Sequence, residues 1–372
     1  MAKPIHELLK VAVDTDASDL HITTYVPPRI RVHGKLISID HPPLSPSETK
    51  ELVYSILSDK QKKIFEDKLE LDFSFGIKEL GRFRVNVFQQ KGAVAAAFRR
   101  FLPSMWSFSQ LGIPQRIAQL CYLPRGLILV TGPTGCGKST TLACMVDHIN
   151  HERDVHIVTI EDPIEYYFTP KVSIINQREL FVDTHSYANA LRSVLREDPD
   201  VVLVGEMRDL ETVEATIRVA ETGHLTFSTL HTNSACESIT RIIDIFPTQY
   251  QAQVRIMLSM TLEAVMTQAL LPRADGRGRV LAMEILIPNA AIRNLIRENK
   301  IHQIYSAMQM GQEKFGMQTF NQSLAVLYFK RLITFDLAMS VTSFPEELAD
   351  IIQRKEGLPA RSAGGASSSS KK

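Results

Sequence analysis

Gly132-Pro-Thr-Gly-Cys-Gly-Lys-Ser139 follows a short apolar run, Leu127-Ile-Leu-Val130, and leads into Lys138-Ser-Thr-Thr-Leu-Ala-Cys-Met-Val-Asp-His-Ile149. The run reads as a buried strand and the segment after it as a helix. That is the strand–GxxxxGK[ST]–helix context in which a P-loop has physical meaning. The glycines let the backbone turn tightly and bring its N–H groups close to phosphate. The helix adds the positive end of its dipole. Lys138 can reach the β- and γ-phosphates, and the Ser139 hydroxyl can ligand Mg²⁺. Thr134, Gly135, Cys136, Gly137, Lys138, Ser139 and Thr140 are therefore the expected ATP-binding residues.

Outward from the loop, strand and helix patterns alternate: strands at 127–131, 156–161, 201–204 and 225–230, helices at 138–150, 185–196, 210–221 and 234–244. Such alternation predicts a mainly parallel sheet with helices on its faces. From Gln249 the pattern is mostly helical, interrupted by a strand at Val280–Leu286.

Upstream, Ser18–Thr24, Arg29–Ile39 and Leu71–Phe75 alternate polar and apolar, with Gly34 suited to a hairpin turn. Arg82–Phe88 puts Phe83, Val85 and Val87 on one face and Arg82, Arg84 and Asn86 on the other. Ser45 or Ser47 caps a helix that Pro46 opens. The expected division is a small α+β domain at 1–101, a linker at 102–112, an α/β ATPase domain at 113–356 and a disordered, Ser-rich tail at 357–372.

A chain of 372 residues suits two domains, since single cores rarely grow beyond about 250–300 residues. A net charge of +1 supplies no global field for nucleic acid, and no basic–aromatic stripe is present, so a DNA motor is disfavoured. Four cysteines form no CxxC pair and no disulfide framework, which suits a reducing compartment. Met1–His6 lacks a signal-peptide core, and no apolar run approaches the ~20 residues of a membrane helix. A soluble, cytoplasmic protein is expected.

Phosphoryl transfer also needs metal ligands, a group that positions water and further positive charge. Glu161, Asp162 and Glu165 follow the strand at 156–161, and the C-terminal edge of a parallel sheet is where ligands bind. Asp200-Val-Val-Leu-Val-Gly-Glu206 is an apolar strand ending in an acid, the Walker B pattern, with Glu in place of the commoner Asp. His231, just past the strand at 225–230, can hydrogen-bond the γ-phosphate or the attacking water. Arg82, Arg84, Arg99 and Arg100 upstream, and Arg192, Arg196 and Arg208 downstream, can supply guanidinium charge.

Taken together, GPTGCGKST (132–140), EDPIEY (161–166), DPDVVLVGEMRD (198–209) and AETGHLTFSTLHTNSA (220–235) resemble the Walker A, Asp, Walker B and His boxes of the type II/type IV secretion ATPases. Ala291-Ile-Arg-Asn-Leu-Ile-Arg-Glu298 is similar to the AIRNLIRE stretch of that family's type IV pilus retraction branch; by periodicity alone it is an ordinary amphipathic helix. The resemblance implies a PAS-like N-terminal domain, a RecA-like motor domain and a homohexamer using ATP and Mg²⁺. It makes Glu165 the catalytic glutamate, Glu206 the Walker B acid that shares Mg²⁺ with Ser139, and His231 the His-box residue. Arg82, Arg84 and Arg99 are the candidate arginine fingers. It further implies a polytopic inner-membrane platform protein and a paralogous retraction ATPase as partners, so that the motor works at the cytoplasmic face of the inner membrane. The absence of a tetracysteine element and the short N-terminal region favour retraction over extension or type II secretion; an accessory retraction paralogue is less well separated.

Overall fold

The computed structural model describes residues 3–356 apart from His33, Glu79 and 102–104, with the backbone alone at Gln312, Glu313 and Glu356. The first three linker residues, 102–104, and the tail, 357–372, lie outside the described residues. Two compact units emerge: one comprises Met1–Ser104 with Asp162–Phe168, the other Met105–Glu161 with Thr169–Lys372.

The first unit is built on strands β1 (Asp19–Ile22), β2 (Arg29–Val32), β3 (Lys35–Ser38), β4 (Glu70–Ile77), β5 (Gly81–Gln90) and β6 (Ala93–Arg100). They form one antiparallel sheet in the order β3-β2-β1-β6-β5-β4. Phe83, Val85 and Val87 of β5 are buried, together with Leu20, Ile22 and Phe98, against Leu8 and Leu9 of the helix Ile5–Asp14 and Leu52 and Val53 of the helix Pro46–Tyr54. Ser45 caps the latter in a full capping box with Glu48. The helices Ile5–Asp14 and Asp59–Lys68 were not legible as elements in the sequence.

The second unit carries β7 (Gly126–Thr131), β8 (His156–Glu161), β9 (Ile174–Glu179), β10 (Val201–Val204), β11 (Leu225–Leu230), β12 (Leu262–Pro272) and β13 (Arg279–Leu286). Their order is β13-β12-β7-β11-β10-β8-β9, with every pairing parallel except β12–β13. β7, β10 and β11 are buried along their whole length, as strands covered on both faces must be. The fold is thus α/β with a mixed, mostly parallel sheet.

Two strands depart from the sequence reading. β9 adds an edge strand next to β8. β12 replaces expected helix: Leu262-Glu-Ala-Val-Met-Thr-Gln-Ala-Leu-Leu271 is rich in helix formers, yet pairing with β7 on one side and β13 on the other overrides that preference. Its Glu263 packs on Gly126, where an added Cβ would lie 2.4 Å from Glu263 Cγ.

Candidate nucleotide site

The C-terminal ends of β7, β11 and β10 are held in register by Thr131↔Leu230 and Val204↔Ser228. Three segments leave from this edge: the 132–139 loop, His231 with Thr232, and Gly205 with Glu206. The helix Lys138–Glu152 starts inside the loop, with Gly137 at its N-cap and no side-chain cap bond among the described residues. Its first-turn N–H groups are the donors that an anion satisfies at such an end.

Gly132 has φ +137°, and a Cβ there would sit 2.3 Å from the Gln268 carbonyl oxygen of β12, so no other residue fits. Lys138 Nζ donates to Gly132 O at 2.8 Å and Pro133 O at 3.2 Å, which lays the ammonium along the loop. Cys136 is buried, and burial raises its thiol pKa, so it acts through its backbone and not as a nucleophile. All four cysteines are free.

Glu206 is the junction of the site. Its Oε1 lies 3.2 Å from His231 Nε2 and its Oε2 2.8 Å from Arg208 Nη2. Burial pushes this carboxyl up, but the Arg208 guanidinium and His231 outweigh that and hold it below the usual carboxylate value. It is therefore an anion at neutral pH. The other ring nitrogen of His231, Nδ1, is 3.4 Å from Thr134 Oγ1 in the loop. His231 so bridges the phosphate loop and the acid at the end of β10. Gly205 permits the turn into Glu206: an added Cβ would meet Tyr187 Oη at 2.7 Å and Ile160 O at 3.3 Å. The Thr229 hydroxyl donates to Gly205 O at 2.6 Å, tying the ends of β10 and β11 together.

The second unit thus brings together Thr134–Thr140, Glu206 and His231. Glu165 and the arginines Arg82, Arg84 and Arg99 lie in the first unit. There Arg82 donates to Ser74 Oγ and stacks over Tyr167, its guanidinium carbon 4.3 Å from the ring centroid. A single row crosses the sheet through Arg31↔Asp19, Asp19↔Arg99, Arg99↔Arg84 and Arg84↔Ser74. Asp19 accepts from Arg99 Nε at 3.0 Å and from Ser18 Oγ at 2.7 Å, while Arg84 Nε lies 3.9 Å from Asp72. Burial pushes the Asp19 carboxyl up, but Ser18 and Arg99 hold it lower than an ordinary aspartate.

Sequence reasoning missed Gln268. It sits on β12, is 2% exposed, donates from Nε2 to Cys136 O at 2.7 Å and accepts at Oε1 from the Thr141 hydroxyl at 3.0 Å. Its neighbour Thr267 bonds Thr131 at 2.8 Å, and a buried run of hydroxyls continues through Ser238 to Thr232 beside His231. A mid-segment glutamine carries no signal unless the segment is known to be a strand beside the loop.

A phosphate loop on the edge of a mostly parallel sheet, with an ionised acid at the end of a nearby strand, defines a P-loop nucleotide-binding protein. The profile of the Type II/IV secretion system protein family matches residues 1–328, and the chain belongs to that family. It is 48% identical over 342 residues to the type IV pilus retraction ATPase PilT of Pseudomonas aeruginosa, covering 92% of this chain and 99% of that protein. It is 49% identical over 339 residues to a twitching motility protein of Neisseria gonorrhoeae, covering 91% and 90%. The crystal structure of the pilus retraction motor PilT with bound ADP is similar at a TM-score of 0.88 and 54% identity, covering 94% of this chain and 99% of that one.

Proposed function

We propose that this chain is an ATP-hydrolysing motor subunit that drives type IV pilus retraction. The observation that carries the reading is the link from Thr134 of the phosphate loop through His231 to Glu206, in a chain that is 48% identical to a retraction ATPase over nearly all its length. Residues Thr134–Thr140 take the triphosphate, with Lys138 supplying charge to its β- and γ-oxygens. The Ser139 hydroxyl and the ionised Glu206 are the hard oxygen donors that Mg²⁺ prefers, and they are the residues that would hold it. Bound Mg²⁺ neutralises charge on the phosphates. His231, already hydrogen-bonded at both nitrogens, is placed to register whether the loop and Glu206 are engaged together. Glu165 orients the attacking water, and Arg82, Arg84 and Arg99 are the candidates to offer a guanidinium to a nucleotide.

The working assembly is a homohexamer acting on a polytopic inner-membrane platform protein at the cytoplasmic face, with a paralogous retraction ATPase as a further candidate partner. None of the described helices is long and apolar enough to cross a membrane; in this reading membrane attachment is assigned to the platform partner. The reading includes no nucleic-acid partner.

Steady-state ATPase rates and native mass of the same sample test this reading. Lys138→Ala is expected to abolish turnover while leaving the fold intact, and wild-type turnover in that variant would overturn the P-loop assignment. In cells, loss of a retraction motor leaves fibres on the surface that no longer shorten. Loss of surface fibres would point instead to extension or secretion, and retained shortening to the accessory role.

A further inference from the structure

We infer that Gln268 is a positioning residue that holds the phosphate loop in its anion-binding form, an assignment that rests on nucleotide occupying that loop. Gln268 lies in the middle of β12, where its neighbour Thr267 pairs with Thr131, the last residue of β7. Its buried amide joins two points on either side of Lys138 and Ser139. Nε2 donates to Cys136 O at 2.7 Å, and Oε1 accepts from Thr141 Oγ1 at 3.0 Å. The orientation of the amide is chemically forced, because a carbonyl oxygen only accepts and so requires the NH₂ end.

The consequence lies in the next atom. The Cys136–Gly137 peptide is trans, so its C=O and N–H point in opposite directions. Pinning Cys136 O toward β12 aims the Gly137 N–H away from β12. The β12 side is filled, since a Cβ on Gly132 would already meet Gln268 O at 2.3 Å. A phosphate held by the loop must therefore lie on the other side, where that N–H is offered. The second bond fixes Thr141 in the first turn of the helix, where Thr141 N also bonds Gly137 O at 3.0 Å. One side chain thus sets both the loop peptide and the helix end that flank the lysine and serine. Without it the peptide is free to flip, and each flip removes a donor from the phosphate.

The test pairs Gln268→Glu with Gln268→Leu and reads ADP affinity as a ratio to wild type at each pH, together with hydrogen exchange of the 132–141 amides in nucleotide-free protein. The carboxylate introduced by Gln268→Glu cannot donate to Cys136 O when ionised, whereas its protonated form can. Gln268→Glu is expected to bind ADP about tenfold more weakly at pH 8, the loss of one buried hydrogen bond, and to regain most of that by pH 6. Gln268→Leu is expected to be weak at both pH values, and both variants to exchange the loop amides faster. Wild-type ADP affinity in Gln268→Leu, or unchanged loop exchange in both variants, would overturn the assignment. Thr141→Val covers the case of poor folding: a threefold or greater loss of affinity supports the brace, and wild-type affinity refutes it. Wild-type protein that failed to bind ADP would instead end the nucleotide reading itself.

Discussion

The helix Ala290–Arg297 gives a direct test of what its residues do, because its two faces have opposite environments. Ile292 and Ile296 are fully buried in the cluster that also holds Leu258, Leu262, Val265 and Ile304. Arg297 is exposed, with one bond to Asn294 at 3.2 Å. Ile296→Ala removes three carbons from a site with no solvent exposure. At ~0.8 kcal/mol for each buried carbon the transfer part is about 2.4 kcal/mol, and the unfilled cavity raises the total to roughly 3–4 kcal/mol. Arg297→Ala removes an exposed side chain and should stay within about 0.5 kcal/mol of wild type. The assay is urea unfolding followed by far-UV circular dichroism at fixed protein concentration, with ATPase rates measured below the transition. Ile296→Ala is expected to unfold at clearly lower urea, and Arg297→Ala at the wild-type midpoint with wild-type turnover. If Ile296→Ala unfolds with the wild-type curve, the packing argument for this helix is wrong. The result also decides how cellular phenotypes are read: a retraction defect in Ile296→Ala reports stability, whereas one in Arg297→Ala reports a lost contact with a partner.

Two further outcomes follow from the site. Gly205→Ala places a methyl 2.7 Å from Tyr187 Oη and 3.3 Å from Ile160 O, displaces Glu206 and should lower ATP turnover at least tenfold; Tyr187→Phe in the same chain removes the closer atom and should restore part of it, and full activity in the single variant would refute the steric reading. Arg208→Ala removes the main group holding the Glu206 carboxyl below its ordinary pKa, so that carboxyl protonates at higher pH and the acid limb of the ATPase pH profile should move upward; a limb that stays put would show that Glu206 ionisation does not limit the rate.

Strands β7, β8, β10 and β11 were legible because each is a short run dominated by apolar and β-branched residues, and because Gly132, Asp162-Pro163, Gly205 and His231 follow them. β7, β10 and β11 start and end within a residue of their expected limits. Legibility failed where local preference and tertiary pairing disagree. β12 has the composition of a helix, and only its place between β7 and β13 makes it a strand. The error hid Gln268 and Thr267, since neither can be assigned to the loop until the strand is. In the AIRNLIRE segment the apolar spacing correctly marked a core-facing helix. The sequence did not show that Arg293 bonds Ser259 O at 2.9 Å and Met260 O at 3.2 Å, capping the helix Thr248–Thr261, while pairing with Glu263 of β12 at 2.9 Å.

The arginines show the same division at finer scale. Alternation along β5 put Arg82 and Arg84 on one face, but it did not rank them, because rank depends on what each must release before it can meet a phosphate. Arg84 has only a 3.9 Å approach to Asp72, with both side chains about half exposed; such a pair is worth at most about 1 kcal/mol. Arg82 would give up its bond to Ser74 and its stacking on Tyr167, whose segment carries Glu165, so its position is tied to that of the acid. Arg99 holds Asp19, a mostly buried carboxylate that is costly to leave unpaired; Ser18 and a more distant Arg31, at 3.8 Å, would remain beside it. Release therefore costs least at Arg84, and Arg99 divides its role between charge and the integrity of β1 and β6. The row Arg31–Asp19–Arg99–Arg84 also places like charges opposite each other at Arg99 and Arg84; Asp19, 3.0 Å from Arg99, and Asp72, 3.9 Å from Arg84, are the carboxylates that offset them, and the closer, more buried Asp19 pair is the one that release would disturb more.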